Sequence, residues 1–134
     1  MATEPLTEAD RALIDQATDV LQALTNSSFH SVGAAIRTNS GATYTGIDLL
    51  PSVGTAGIHA EPIAIGRAII DGEPGLETSV AVKGVGTPQG PRVISACGVC
   101  RELINDYAPE ARIVVPGPDG PVKRPIGDIL PDKG

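Results

Sequence analysis

The sequence predicts a three-layer α/β domain, on three observations. Short apolar, β-branched runs alternate with helix-like segments, the pattern that places helices on both faces of a sheet. At 134 residues the chain is near the usual size of one domain and long enough to close one core, so a single domain over 1–134 is expected. With three aromatics (Phe29, Tyr44, Tyr107) and no Trp, that core must be built mostly from Ala, Val, Ile and Leu.

Each element has a local reason. Thr7, three residues before Asp10, is an N-cap signal. Leu13, Ala17, Val20, Leu21 and Leu24 then recur on one helical face, and Asn26-Ser27-Ser28 ends the helix. A strand is expected over 31–37, the Asn39-Ser40-Gly41 turn reverses the chain, and 42–49 returns as its partner. Residues 51–58, with Gly54 and Gly57, read as an irregular loop and a candidate pocket wall. A second helix starts at His59 or Ala60 and runs to Ile70; Pro62 is tolerated in its first turn, where the missing N–H has no intrahelical partner. The Asp71-Gly72-Glu73-Pro74-Gly75 run stops it. Residues 78–85 read as a strand buried on both faces and 86–91 as a loop. Val93 and Ile94 lead into a cysteine segment that opens a third helix reaching about Tyr107. Residues 112–115 are another β-branched run, Pro118-Asp119-Gly120 is a turn, and the weakly patterned remainder holds a short helix at 126–130.

The net charge of −6 argues against a polynucleotide groove, whose affinity rests on clustered Lys and Arg, and favours a small molecule as ligand. No apolar run is long enough to span a membrane, and Met1 opens a polar segment. With its only two cysteines committed to metal, as argued next, the chain is expected to be cytoplasmic.

Two short pieces carry the chemistry: His59-Ala60-Glu61 and Cys97-Gly98-Val99-Cys100. Catalytic zinc takes three nitrogen or thiolate ligands and leaves its fourth tetrahedral position to water. His59, Cys97 and Cys100 supply three such ligands, and Glu61 stands close to them in sequence without being needed as a fourth. Alone, a histidine near a helix start is more often packed or solvated than a ligand. A lone C-x-x-C is equally half a structural zinc site, a redox dithiol or two small buried residues. Together the pieces match the H-x-E and C-x-x-C signature of zinc deaminases. Both fall at predicted helix starts, where the macrodipole favours thiolate, so Cys97 and Cys100 are expected to be predisposed to ionise.

On these residues the chain resembles the cytidine deaminase family, including its blasticidin S deaminase branch. Val32-Gly33-Ala34-Ala35 with Thr45-Gly46 is similar to that family's first hairpin, 95–101 to its S-P-C-G-x-C-R segment, and Ile129-Leu130-Pro131 to its terminal L-L-P. The resemblance implies a cytidine deaminase-like three-layer α/β/α fold with a mixed five-stranded sheet. It implies bound Zn2+ and hydrolytic deamination of a cytosine-type ring, with Glu61 taking a proton from the zinc-bound water and returning protons to N3 and the departing amine. The backbone at Ala60 and Ser95 is implied to hold the base. A homotetramer, with neighbouring subunits walling each pocket, is implied as well.

Several positions depart from the family pattern. Many relatives carry a third cysteine where this chain has His59, and relatives with three cysteines commonly place an arginine after the glutamate; here it is Pro62. Two thiolates and a neutral imidazole leave a zinc site of net zero charge, so the histidine and the missing arginine agree with each other. The ribose contacts of the family fall on Asp48 and Leu50, and Leu50 has no hydrogen bond to offer. A stacking aromatic is replaced by His30, with Phe29 one place earlier, and His30 reads equally as a strand-entry residue. Ala96 stands where proline is usual, at some cost in rigidity. Arg101 is expected to orient a thiolate through a hydrogen bond or else to be a surface residue on the helix. Glu102 and Asp106 read as a solvated face.

The leading expectation is a zinc-dependent deaminase of a cytosine nucleoside: cytidine, deoxycytidine or a sugar-modified analogue, including a nucleoside antibiotic. A free pyrimidine base or a purine would keep the mechanism and change the ring. A zinc-stabilised binding protein would have no need of Glu61, and a redox dithiol none of His59.

Overall fold

The computed structural model describes residues 3–24, 30–73 and 75–132. Its elements are α1 (Glu8–Gln22), β1 (Val32–Arg37), β2 (Thr43–Ile47), α2 (Ala60–Ile70), β3 (Thr78–Lys83), β4 (Arg92–Ile94), α3 (Gly98–Tyr107), β5 (Arg112–Val115) and β6 (Val122–Pro125). Short 3-10 turns lie at Gly54–Ala56 and Ile126–Ile129. The expected end of the first helix at Asn26-Ser27-Ser28 and the Pro74 stop fall outside the described residues.

The sheet runs β2-β1-β3-β5-β6. β1 is antiparallel to both β2 and β3, while β3 and β5 are parallel through Thr78–Arg112 and Ser79–Ile113. β4 pairs antiparallel with the other half of β3, Ala81–Ile94 to Lys83–Arg92. The sheet is therefore mixed, five strands across, with a sixth of three residues beside β3. That sixth strand was not expected, because a three-residue run shows no alternation.

Alternate side chains of the sheet feed two cores. On one face Leu13 and Ala17 of α1 pack with Ala35, Val80, Val82 and Val114. On the other, Ile36, Ile113 and Val115 meet Ala64, Ile65 and Ala68 of α2 and Cys100 and Ile104 of α3. Three layers result, as predicted.

Two glycines set how closely the helices sit. A Cβ on Gly33 would fall on the carbonyl oxygen of Ala17, and one on Gly46 would fall on that of Ala60 and 2.7 Å from the amide nitrogen of Ala64. Bare backbone at Gly46 thus seats the first turn of α2, which carries Glu61, directly on β2.

α1 is anchored at its start. Thr7 Oγ1 accepts from the Asp10 amide at 3.2 Å and the Thr7 amide donates to Asp10 Oδ2 at 2.9 Å, a capping box with Asp in the usual Glu position. Asp10 is fully buried and also meets Arg37 of β1 at 2.7 Å and Lys123 of β6 at 2.8 Å. One carboxylate therefore joins the helix to two distant strands.

Candidate active site and metal centre

His59 and Cys97 are the N-cap residues of α2 and α3, both in extended backbone, and neither uses its side chain to cap. Their ligand atoms are left free to converge. His59 Nδ1 lies 3.0 Å from Cys97 Sγ and 3.3 Å from Cys100 Sγ, and all three ligand atoms are within 4.8 Å of one another. Arms of roughly 2.0–2.3 Å to a common centre give a tetrahedron with edges of roughly 3.5 Å, so the cluster is the right size for zinc. Cys100 is buried, whereas His59 and Cys97 are exposed towards a cavity of about 300 Å3.

Glu61 lines the same cavity and is only 5 % exposed. Burial raises its pKa above the ordinary carboxylate value, against hydrogen bonds from its own backbone and from Cys100. The Cys100 thiol is driven far up as well, by burial first and then by the charges of Glu61 and Cys97. This corrects the sequence-based expectation of a thiol predisposed to ionise: the helix start is outweighed by burial and by the neighbouring acids. Two acidic groups packed around one imidazole call for a cation, and a coordinating metal deprotonates a thiol outright. The donor set and its electrostatics therefore fit a divalent zinc ion.

The remaining predicted residues divide. Ala60, Ser95, Asp48 and Leu50 line the cavity with Glu61, as do Gly54, Gly57 and Ile58 of the predicted wall loop. Val32, Leu49 and Ile94 join them, unforeseen; their signal was an apolar residue at a strand end or beside one, next to a motif. His30 does not line the cavity: its Nδ1 donates to the Asp48 carbonyl at 2.7 Å, which holds the ring at strand entry. Phe29 lies outside the described residues.

Arg101 also departs from expectation. Its guanidinium donates to the Ala96 carbonyl at 2.7 Å, the Ser95 hydroxyl at 2.8 Å and the Ile129 carbonyl at 3.0 Å, rather than to a thiolate. Three planar donors match three oxygens around it, so the residue braces the loop before Cys97. The Asp48 carboxylate is held likewise: Ser31 N and Val32 N donate to Oδ1 at 2.7 and 3.0 Å, and Ser31 Oγ donates to Oδ2 at 2.9 Å.

A buried carboxylate beside a three-ligand zinc centre that opens on a cavity defines a zinc-dependent hydrolytic enzyme. Comparison with known proteins gives the family. The model of the "Cytidine and deoxycytidylate deaminase zinc-binding region" matches residues 7–115. A blasticidin-S deaminase of Bacillus cereus is 35 % identical over 136 residues, covering 99 % of this chain and 97 % of that protein. Among solved structures, the cytidine deaminase of Mycobacterium leprae superposes with a TM-score of 0.74 at 26 % identity, over 95 % of this chain and all of the other. That of Mycobacterium tuberculosis gives 0.71 at 28 % identity, over 91 % and 94 %. The chain belongs to the cytidine and deoxycytidylate deaminase family, and is a zinc-dependent deaminase. No helix among the described residues is long and apolar enough to cross a membrane.

Proposed function

We propose that this enzyme hydrolyses the exocyclic amine of a cytosine nucleoside with a modified sugar, of the blasticidin S kind, giving the uracil form and ammonia. One observation carries the reading: Glu61, the ligand residues His59 and Cys97, Ala60 and Ser95 line the same cavity as the apolar Leu49, Leu50 and Ile58. A ribose hydroxyl facing Leu50 would lack a partner, at a cost of about 1–3 kcal/mol.

His59, Cys97 and Cys100 hold zinc, which when bound supplies Lewis acidity and brings the pKa of a water near 7. Glu61 takes up the proton released as water adds to C4 and passes it to N3; it then takes the proton of the new C4 hydroxyl and gives it to the amine as the C4–N bond breaks and the C4 carbonyl forms. Its burial raises its basicity, which suits a group that must both accept and donate. The Ala60 N–H and the Ser95 carbonyl orient the ring, and Arg101 fixes Ser95.

Likeness to the mycobacterial cytidine deaminases favours a second reading, cytidine or deoxycytidine itself. Zinc per chain, measured with ammonia release from blasticidin S, cytidine, deoxycytidine and cytosine, separates the two. One zinc with fastest turnover of blasticidin S supports the first; preference for cytidine or deoxycytidine supports the second. Zinc-loaded protein that releases ammonia from none of them overturns both.

A further inference from the structure

Away from the zinc ligands and Glu61, the wall of the cavity carries one ionic group, Asp48. No lysine or arginine is among the described residues that line it, and the neighbours of Asp48 there are the apolar Val32, Leu49, Leu50 and Ile58. Asp48 is 5 % exposed and has no ion pair among the described residues. Its partners are all neutral: two amides on Oδ1 and one hydroxyl on Oδ2. A carboxylate offers about four acceptor directions, so these donors leave one, on Oδ2.

A buried carboxylate without a counter-charge is costly unless something on the ligand supplies one. We infer that Asp48 selects substrates bearing a protonated amine on the sugar portion, and that the same wall turns away phosphorylated nucleotides. The inference rests on the proposed function in one respect, that the cytosine ring occupies the Glu61 end. An ammonium donates to the open position of Oδ2 and brings the missing positive charge. A hydroxyl supplies only the hydrogen bond, and a phosphate meets a carboxylate with no lysine or arginine in the lining to offset it.

The test uses the full-length, zinc-loaded Glu61→Gln protein, so that ligands are bound and not consumed. Dissociation constants are measured for cytidine, 3′-amino-3′-deoxycytidine, 5′-amino-5′-deoxycytidine and cytidine 5′-monophosphate. At least one amine should bind tenfold or more tighter than cytidine, and the monophosphate tenfold or more weaker. Adding Asp48→Asn, which keeps the shape and removes the charge, should bring amine and hydroxyl within about threefold. Amines no tighter than cytidine, or a preference that survives Asp48→Asn, would overturn the inference. Should the Asn variant not fold, the order of amine, hydroxyl and phosphate on the Asp48 protein decides alone. Ammonia release by the wild type from blasticidin S and these four compounds runs in parallel: its absence from all five counts against the deaminase reading, while the binding order still judges Asp48.

Discussion

Arg101 holds the carbonyl of Ala96 at 2.7 Å, across the first turn of α3 and in front of Cys97. The same guanidinium reaches the Ser95 hydroxyl and the Ile129 carbonyl, so one side chain braces the loop in front of Cys97. Arg101→Met should therefore destabilise by about 2–3 kcal/mol, the scale of losing hydrogen bonds to a charged donor. Thermal unfolding checks this, and kcat/KM should fall with it. Lys at this position should not restore either quantity, because one ammonium cannot span the three acceptors of a planar fork.

Glu61→Gln should keep one zinc per chain, since Glu61 is not needed as a ligand, and lower kcat by roughly 10²–10⁴, the usual worth of a general acid–base group. Metal analysis beside ammonia release checks it; turnover at the parent rate would remove Glu61 from the mechanism.

Asp10 gives a pH signature. Burial alone would raise its pKa, but Lys123, the Thr7 amide and Arg37 hold it well below the usual carboxylate range. Below the ordinary aspartate pKa the unfolded chain therefore binds a proton that the folded one does not. The stabilisation is complete above that value and is lost as pH falls towards the folded pKa. Urea unfolding from pH 6 down to 2 should show this decline, and Asp10→Asn should flatten it. At neutral pH the same variant should cost about 3 kcal/mol, because it leaves Arg37 and Lys123 without their shared buried partner.

Much of this could be read from the chain because the signals are local. Thr7 and Asp10 are three residues apart and cap a helix together; Pro62 sits in a first turn; His59, Cys97 and Cys100 carry ligand chemistry in their spacing. What escaped depends on partners far away in sequence. Nothing near Asp10 announces Lys123, and nothing near Arg101 announces Ile129. β6 escaped because Lys123, Arg124 and Pro125 break its apolar alternation, although the strand pairs with β5 along its length. His30 could equally have faced the cavity; its hydrogen bond to the Asp48 carbonyl decided otherwise.

Gly46→Ala tests the seat of α2. The added methyl must displace the Ala60 and Ala64 backbone, and with it His59 and Glu61. Zinc affinity and kcat should both fall, by tenfold or more, while α1, on the far face of the sheet, keeps its hydrogen-exchange protection. Unchanged zinc affinity would show that the helix start does not depend on that close approach.

Leu50→Glu should raise kcat/KM for cytidine by about tenfold, equivalent to about 1.4 kcal/mol, by giving a ribose hydroxyl an acceptor. No change for cytidine would mean that Leu50 does not face the sugar.

The loop that forms the apolar wall closes on itself through main chain alone: Leu49 N donates to the Ile58 carbonyl at 2.8 Å and Ile58 N to the Leu49 carbonyl at 3.0 Å. No side chain is required at that joint. The residues between can be exchanged, lengthened or borrowed from a relative while the joint stays shut and the zinc ligands, set on helix starts, keep their places. The share of selectivity that Leu50 and its loop carry can thus be rewritten while the zinc ligands, Glu61 and Asp48 stay as they stand.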